Sequence, residues 1–158
     1  MVRGMTEPNA SASIEVAAPP QRVYALVSDP AALASCAEEY IGHQWLGGAT
    51  KAAEGARFRG RNRRGFRRWS TVSTITDTDE GRRFAFDVSS IGLSISRWQY
   101  DIEPAGDGVR LTESTWDRRP GWLRTITGYV TGVHQRDPYN RANIETTLRR
   151  IKETAEGA

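Results

Sequence analysis

The sequence predicts an α+β domain in which a curved antiparallel sheet of about seven strands wraps around a long C-terminal helix, with two short helices after the first strand. Three observations carry this. Segments of alternating apolar and polar residues recur through the middle of the chain, separated by short glycine- and aspartate-bearing turns. Strands joined by short turns favour antiparallel pairing. Apolar residues at helical spacing then fill the C-terminal third, the one long amphipathic segment able to cover a sheet face.

The elements run in order as follows. Ser13-Ile14-Glu15-Val16 alternates and reads as a first strand, ended by Pro19-Pro20. Gln21 to Ser28 has Val23, Ala25, Leu26 and Val27 at helical spacing, with Pro20 suited to a helix start. Asp29-Pro30 breaks that helix and caps a second, Ala31 to Ala37. Tyr40 to Leu46 is a strand closed by Gly47-Gly48. A meander follows: Ala56 to Asn62, Arg67 to Thr76, Arg83 to Val88, Ser94 to Glu103 and Val109 to Trp116. Gly106-Asp107-Gly108 is its hairpin turn before the last strand. Pro120-Gly121 opens the helical end, where Trp122, Ile126, Tyr129, Val130 and Val133 form one stripe. Asp137-Pro138 reads as an N-cap and first helical position that restarts or kinks the helix, and Ile144, Leu148, Ile151 and Ala155 form a second stripe.

With 158 residues the chain suits one domain with a real core. Residues 1–12 read as a flexible leader and 13–156 as the domain. The leader lacks the basic and apolar regions of a signal peptide, and no apolar run reaches the roughly 20 residues that span a bilayer. A cytoplasmic protein without membrane insertion is expected. The single cysteine, Cys36, agrees with a reducing compartment. Two histidines, His43 and His134, and that one cysteine have no metal-ligand spacing. No phosphate-binding glycine loop or serine elbow is present, so neither metal nor cofactor is expected.

Trp45-Leu46-Gly47-Gly48, the run Gly55 to Gly65, Arg68-Trp69-Ser70, Trp98-Gln99-Tyr100, Glu113-Ser114 and Thr147 to Lys152 resemble the polyketide cyclase/dehydrase branch of the START-like helix-grip (SRPBCC) superfamily. The resemblance covers roughly Ser13 to Glu156. It implies a helix-grip fold and an internal cavity for a hydrophobic lipid-like or polyketide-like molecule. It fixes no activity, because the superfamily includes cyclases, aromatases, lipid carriers and receptors.

Glu113 shares a strand face with Val109 and Leu111, so alternation points its carboxylate inward. Burial raises a carboxyl pKa, the setting of a general acid or base. The alternatives are a structural bond to an inward arginine or tryptophan, or exposure through a bulge. Tyr129 and His134, near the helix face toward the sheet, are further catalytic candidates; the alternatives are a core-filling tyrosine and a solvated histidine. Phe58, Asn62, Trp69, Phe84, Phe86, Trp98, Tyr100, Trp122, Ile126 and Val130 are the expected ligand-binding residues. They should line a cavity of at least about 300 Å³.

Seven arginines fall between Arg57 and Arg68. Strand spacing puts Arg57, Arg59 and Arg61 on the face opposite Phe58. They are expected to form a solvated outer face paired across strands with Asp87, Asp101 and Glu103, and next to that to dock an acidic acyl carrier protein. Neither exposed interleaved aromatics nor a presented helix suggests nucleic acid. A hydrophobic-ligand binder, monomeric or homodimeric, is the first reading. A cofactor-independent cyclase, aromatase or dehydratase is the second, and an interaction module using the arginine face the third.

Overall fold

The computed structural model describes residues 6–133 and 136–157. One seven-stranded sheet has the spatial order β1-β7-β6-β5-β4-β3-β2, every neighbouring pair antiparallel. The strands are β1 (Ala10–Val16), β2 (Tyr40–Leu46), β3 (Arg57–Arg64), β4 (Arg67–Asp79), β5 (Arg83–Ser90), β6 (Leu93–Ala105) and β7 (Gly108–Asp117). Helices α1 (Pro20–Val27) and α2 (Pro30–Cys36) connect β1 to β2; α3 (Gly121–Thr131) and α4 (Arg136–Glu156) follow β7. This is the expected helix-grip architecture.

Local chemistry explains the boundaries. Pro20 opens α1, and Asp29 caps α2 by accepting a hydrogen bond from the Ala31 backbone at 2.9 Å. The long β4, β5 and β6 curve through register shifts at Ile75/Asp77 and Val88/Ser89. The α4 helix packs chiefly on β1 and also meets α1, α2 and β7. It buries Ile144, Leu148 and Ile151 against Val16, Val109 and Leu111, each such side chain contributing about 1.5–3 kcal/mol.

Three expectations need correction. The first strand begins at Ala10, not Ser13, so the expected leader reaches into the sheet: Ala10 pairs with Thr115, and Trp116 donates its indole N–H to the Thr6 carbonyl at 2.7 Å. Edge-strand pairing needs backbone groups rather than apolar side chains, so Ala10-Ser11-Ala12 pairs without an obvious pattern. The helical end restarts, as expected: α3 ends at Gly132, with a left-handed φ of 77°, and the long α4 follows. Asp137-Pro138 lies inside the first turn of α4 rather than capping it. Finally, α3 buries Leu123, Gly128 and Thr131; of the expected stripe Val133 is buried, but Trp122, Ile126, Tyr129 and Val130 are largely exposed. Helix α3 meets the sheet at β4 as a separate cover.

Candidate ligand cavity

Between the concave sheet face and helices α2, α3 and α4 lies a cavity of about 550 Å³, within the range of small-molecule sites. Alternation builds its sheet wall. Phe58 on β3, Phe86 and Val88 on β5, Trp98 and Tyr100 on β6, and Glu113 and Thr115 on β7 all point in. The rings of Phe58 and Phe86 meet at 6.1 Å, and Trp45 stands edge-on to Phe58 at 5.5 Å. Helix α4 faces them with Asn140, Asn143, Ile144 and Thr147, and α3 with Leu123, Ile126 and Val130.

Of the expected ligand-binding residues, Phe58, Asn62, Trp69, Phe86, Trp98, Tyr100, Ile126 and Val130 line this space, as does Glu113. Phe84 does not. It shares a face with Phe86 but lies nearer the closed end, where the Tyr24 ring of α1 packs edge-on against it. Trp122 is 59% exposed and Tyr129 69% exposed, both outside the cavity lining because α3 turns that side to solvent. His134 lies outside the described residues. Sequence reasoning missed Tyr40 and the α4 wall. The spacing of Asn140, Asn143, Ile144 and Thr147 marks one helical face, so that wall was available as a pattern of small polar residues.

Glu113 is buried, and its direct cross-strand partner is Tyr100. The Tyr100 hydroxyl donates to Glu113 Oε1 at 2.7 Å, while Oε2 has no partner among the described residues. Burial pushes the Glu113 carboxyl up to about 8, against the opposing pull of the Tyr100 hydrogen bond. At neutral pH the group is mainly a carboxylic acid, able to donate a proton or a hydrogen bond. Burial, then the Glu113 charge, raises the Tyr100 phenol well above its ordinary value. The Tyr40 hydroxyl is a second buried polar atom without a partner among the described residues, its phenol also raised by burial. An apolar cavity thus contains two polar atoms that gain a partner only from a ligand or a water.

At the α3 end of the cavity a buried ion pair fastens the helix to the sheet. Arg119 donates to Asp117 Oδ2 at 2.7 Å and to Thr127 Oγ1 at 2.6 Å, fastening α3 to the end of β7. Burial works to raise the Asp117 carboxyl, but the Arg119 hydrogen bonds outweigh it and hold it below the usual range. Across the opening, Arg136 holds Glu39 at 2.9 Å and lies over the Trp69 ring. Among the described residues no three His, Cys, Asp or Glu side chains converge as metal ligands.

The arginine run is exposed at Arg57, Arg59 and Arg61, as expected, but its pairing is not. Asp87 is taken by Arg97 and Arg118, and Asp101 by Arg83. Cross-strand register explains this: Arg57, Arg59 and Arg61 sit opposite Thr74, Val72 and Ser70, two strands from Asp87 and three from Asp101. None of the seven arginines has an ion-pair partner among the described residues.

A family model described as polyketide cyclase / dehydrase and lipid transport matches residues 7–156. No curated protein matches the chain. Among solved structures, the chain is similar to the Polyketide_cyc-like protein from Corynebacterium glutamicum, at 28% identity and TM-score 0.63, covering 96% of this chain and 94% of that one. A protein from Thermus thermophilus shares 21% identity over 92% of this chain and 95% of its own, with TM-score 0.63. The di-domain ARO/CYC StfQ from the steffimycin biosynthetic pathway is similar at 16% identity and TM-score 0.71, over 92% of this chain and 50% of that one, a likeness of fold. With the family match running through every strand and helix of the described fold, the chain belongs to the polyketide cyclase / dehydrase and lipid transport family.

Proposed function

We propose that the protein binds a bulky, largely apolar small molecule, lipid-like or polyketide-like, with an oxygen atom placed against Glu113. The carrying observation is the cavity of about 550 Å³, walled by aromatic and aliphatic side chains, with Glu113 in that wall and its buried Oε2 unpartnered among the described residues. A ligand carbonyl or hydroxyl there satisfies a buried polar atom, while its apolar body displaces water from Phe58, Phe86, Val88 and Trp98. Native mass spectrometry of the purified protein tests for a co-purified ligand, and titration with the neutral dye N-phenyl-1-naphthylamine tests the cavity. Thr71→Trp, which places an indole in the cavity wall, should weaken dye binding at least about tenfold, a loss typical of a blocked apolar site. Unchanged dye binding in that variant, with its fold intact, would remove this reading.

One observation favours a second reading, an enzyme on the same cavity. A carboxyl with pKa about 8 beside a phenol is poised to give and take protons near neutral pH. Cyclisation, aromatisation or dehydration of a polyketide-like chain needs a shaping cavity and one or two such groups, with no cofactor.

A further inference from the structure

The turns at the open end of the sheet are apolar and basic at once. In an antiparallel meander the β3–β4 turn, the β5–β6 turn and the end of β7 fall at one end of the sheet. Hydrogen bonds tie the β3–β4 turn to α3 and β5 to β4. Arg67 donates to the Tyr129 carbonyl at 2.7 Å, and Arg64 to the Gly132 carbonyl, joining the β3–β4 turn to the C-terminus of α3. Ser90 donates to the Ser70 carbonyl, joining β5 to β4. At this end Phe66 is 88% exposed and Ile91 98% exposed, each at the tip of a turn. Ile91 is also a β-branched residue at positive φ, 52°. Folding gains nothing from that placement, which adds backbone strain to solvated apolar surface. Beside them Leu93, Trp122, Ile126 and Val130 are exposed, and Ile91, Leu93, Ile126 and Val130 also line the cavity. The apolar rim and the cavity wall are one continuous surface.

Charge selects what this rim fits. The α3 helix contains no acidic side chain. Two nearby acids are occupied, Asp117 by Arg119 and Arg124 and Glu39 by Arg136, which leaves Asp137 as the exposed acid at the start of α4 against a cluster of arginines. Arg63 and Arg68 face each other across β3 and β4, both exposed, with no side-chain acceptor among the described residues; Arg64 and Arg67 form the next pair toward the tip. Like charges directly opposite repel, and an external anion relieves them. We propose that this end of the molecule docks on an anionic phospholipid surface, with Phe66, Ile91 and Trp122 at headgroup depth, Arg63 and Arg68 on lipid phosphates, and the cavity mouth facing the bilayer. Protruding single apolar side chains enter a soft bilayer interface more readily than a close-packed protein surface. Tryptophan with flanking arginine is the composition such interfaces favour. No described helix is long and apolar enough to cross a membrane, so the contact is peripheral. The cavity reading enters only as the purpose of docking, the transfer of an apolar ligand between bilayer and cavity.

The test is co-sedimentation of the full chain with phosphatidylcholine vesicles, with and without added phosphatidylglycerol. Binding is expected only with phosphatidylglycerol, and should fade at high salt. Arg63→Gln with Arg68→Gln should weaken it about tenfold or more, as two basic side chains at an anionic surface predict. Phe66→Ser with Trp122→Ser should weaken it as well, even at low salt. None of these four residues lines the cavity, so melting and N-phenyl-1-naphthylamine binding without vesicles should match the unmodified protein. No vesicle binding, equal binding to both vesicle types, or binding indifferent to both double variants overturns the proposal. So does capture by an acidic acyl carrier protein, lost in the arginine variant, without any binding to vesicles. Vesicle binding in a protein that never binds the dye leaves docking standing and removes the cavity reading instead.

Discussion

Tyr100 and Glu113 are direct register partners on β6 and β7, and the phenol donates to one carboxyl oxygen at 2.7 Å while the other is buried without a partner among the described residues. The ladder holds the pair rigidly, since both backbones are fixed by neighbouring strands on either side. The carboxyl is buried where it stands, so on ionising its stabilisation has to come from the one phenol, a ligand or a water that enters the cavity.

That confinement makes stability depend on pH. Folding raises the Glu113 pKa from about 4.5 to about 8, so the folded state binds the proton more tightly than the unfolded chain. Its contribution is fully present below the unfolded value and is lost as pH rises through the folded value, a change of a few kcal/mol in order of magnitude. Urea unfolding across this window should show stability falling with pH. Glu113→Gln, neutral throughout, should flatten the fall and be more stable than the unmodified protein above the folded pKa. A slope unchanged by the substitution would show that other groups cause it.

Tyr100→Phe tests the other half of the pair. The phenol opposes the rise in the Glu113 pKa, so removing it should move that pKa further upward. A displacement of about one pH unit is the scale of one hydrogen bond to a charged group. Infrared titration of the protonated-carboxyl band reads it directly. A downward displacement would mean that water enters in place of the hydroxyl and solvates the carboxylate.

How much of this was legible in the sequence depended on periodicity. Val109, Leu111 and Glu113 lie two apart on a strand whose apolar face has one possible interior, so the inward Glu113 could be read directly. Alternation names a face but not a depth, which is why Phe84 and Phe86 were indistinguishable although only Phe86 reaches the cavity. Tyr40 was hidden by the register shift between Tyr40 and Gly42, which breaks the phase of β2 at its first residue. On α3 the apolar stripe was right for Ile126 and Val130, which line the cavity, and misleading for Trp122 and Tyr129, which do not. Hydrophobicity marks the buried face only where the interior is drier than the outside, and here α3 covers a cavity partly with Leu123, Thr127 and Thr131.

The junction after α3 should be sensitive to a single methyl group. Gly132 has a left-handed φ of 77°, and a Cβ there would stand 2.6 Å from Arg67 Nε. Gly132→Ala should cost about 1–2 kcal/mol for the backbone alone. It should also displace the Arg67 guanidinium from the Tyr129 carbonyl that it caps. Chemical denaturation measures the first effect. Hydrogen exchange should show faster opening in α3 than in the sheet, and uniform opening throughout would contradict this local role.

The decisive prediction separates binder from enzyme. If Glu113 transfers protons, the protein should speed the exchange of deuterium into the α-carbon of an aryl alkyl ketone small enough for the cavity. The active base is the carboxylate, so the exchange rate should climb with pH and level off above about 8. Glu113→Gln keeps the shape and the hydrogen-bonding capacity of the side chain but has no basic oxygen to accept the proton. It should retain ketone binding and lose about 100-fold or more of the acceleration, the usual scale for a general base. Tyr100→Phe should retain part of the acceleration and move its pH midpoint upward, following the raised Glu113 pKa. A protein that binds the ketone tightly, yet leaves its exchange at the rate in buffer at every pH, carries Glu113 only as a ligand anchor. The cavity then serves binding alone.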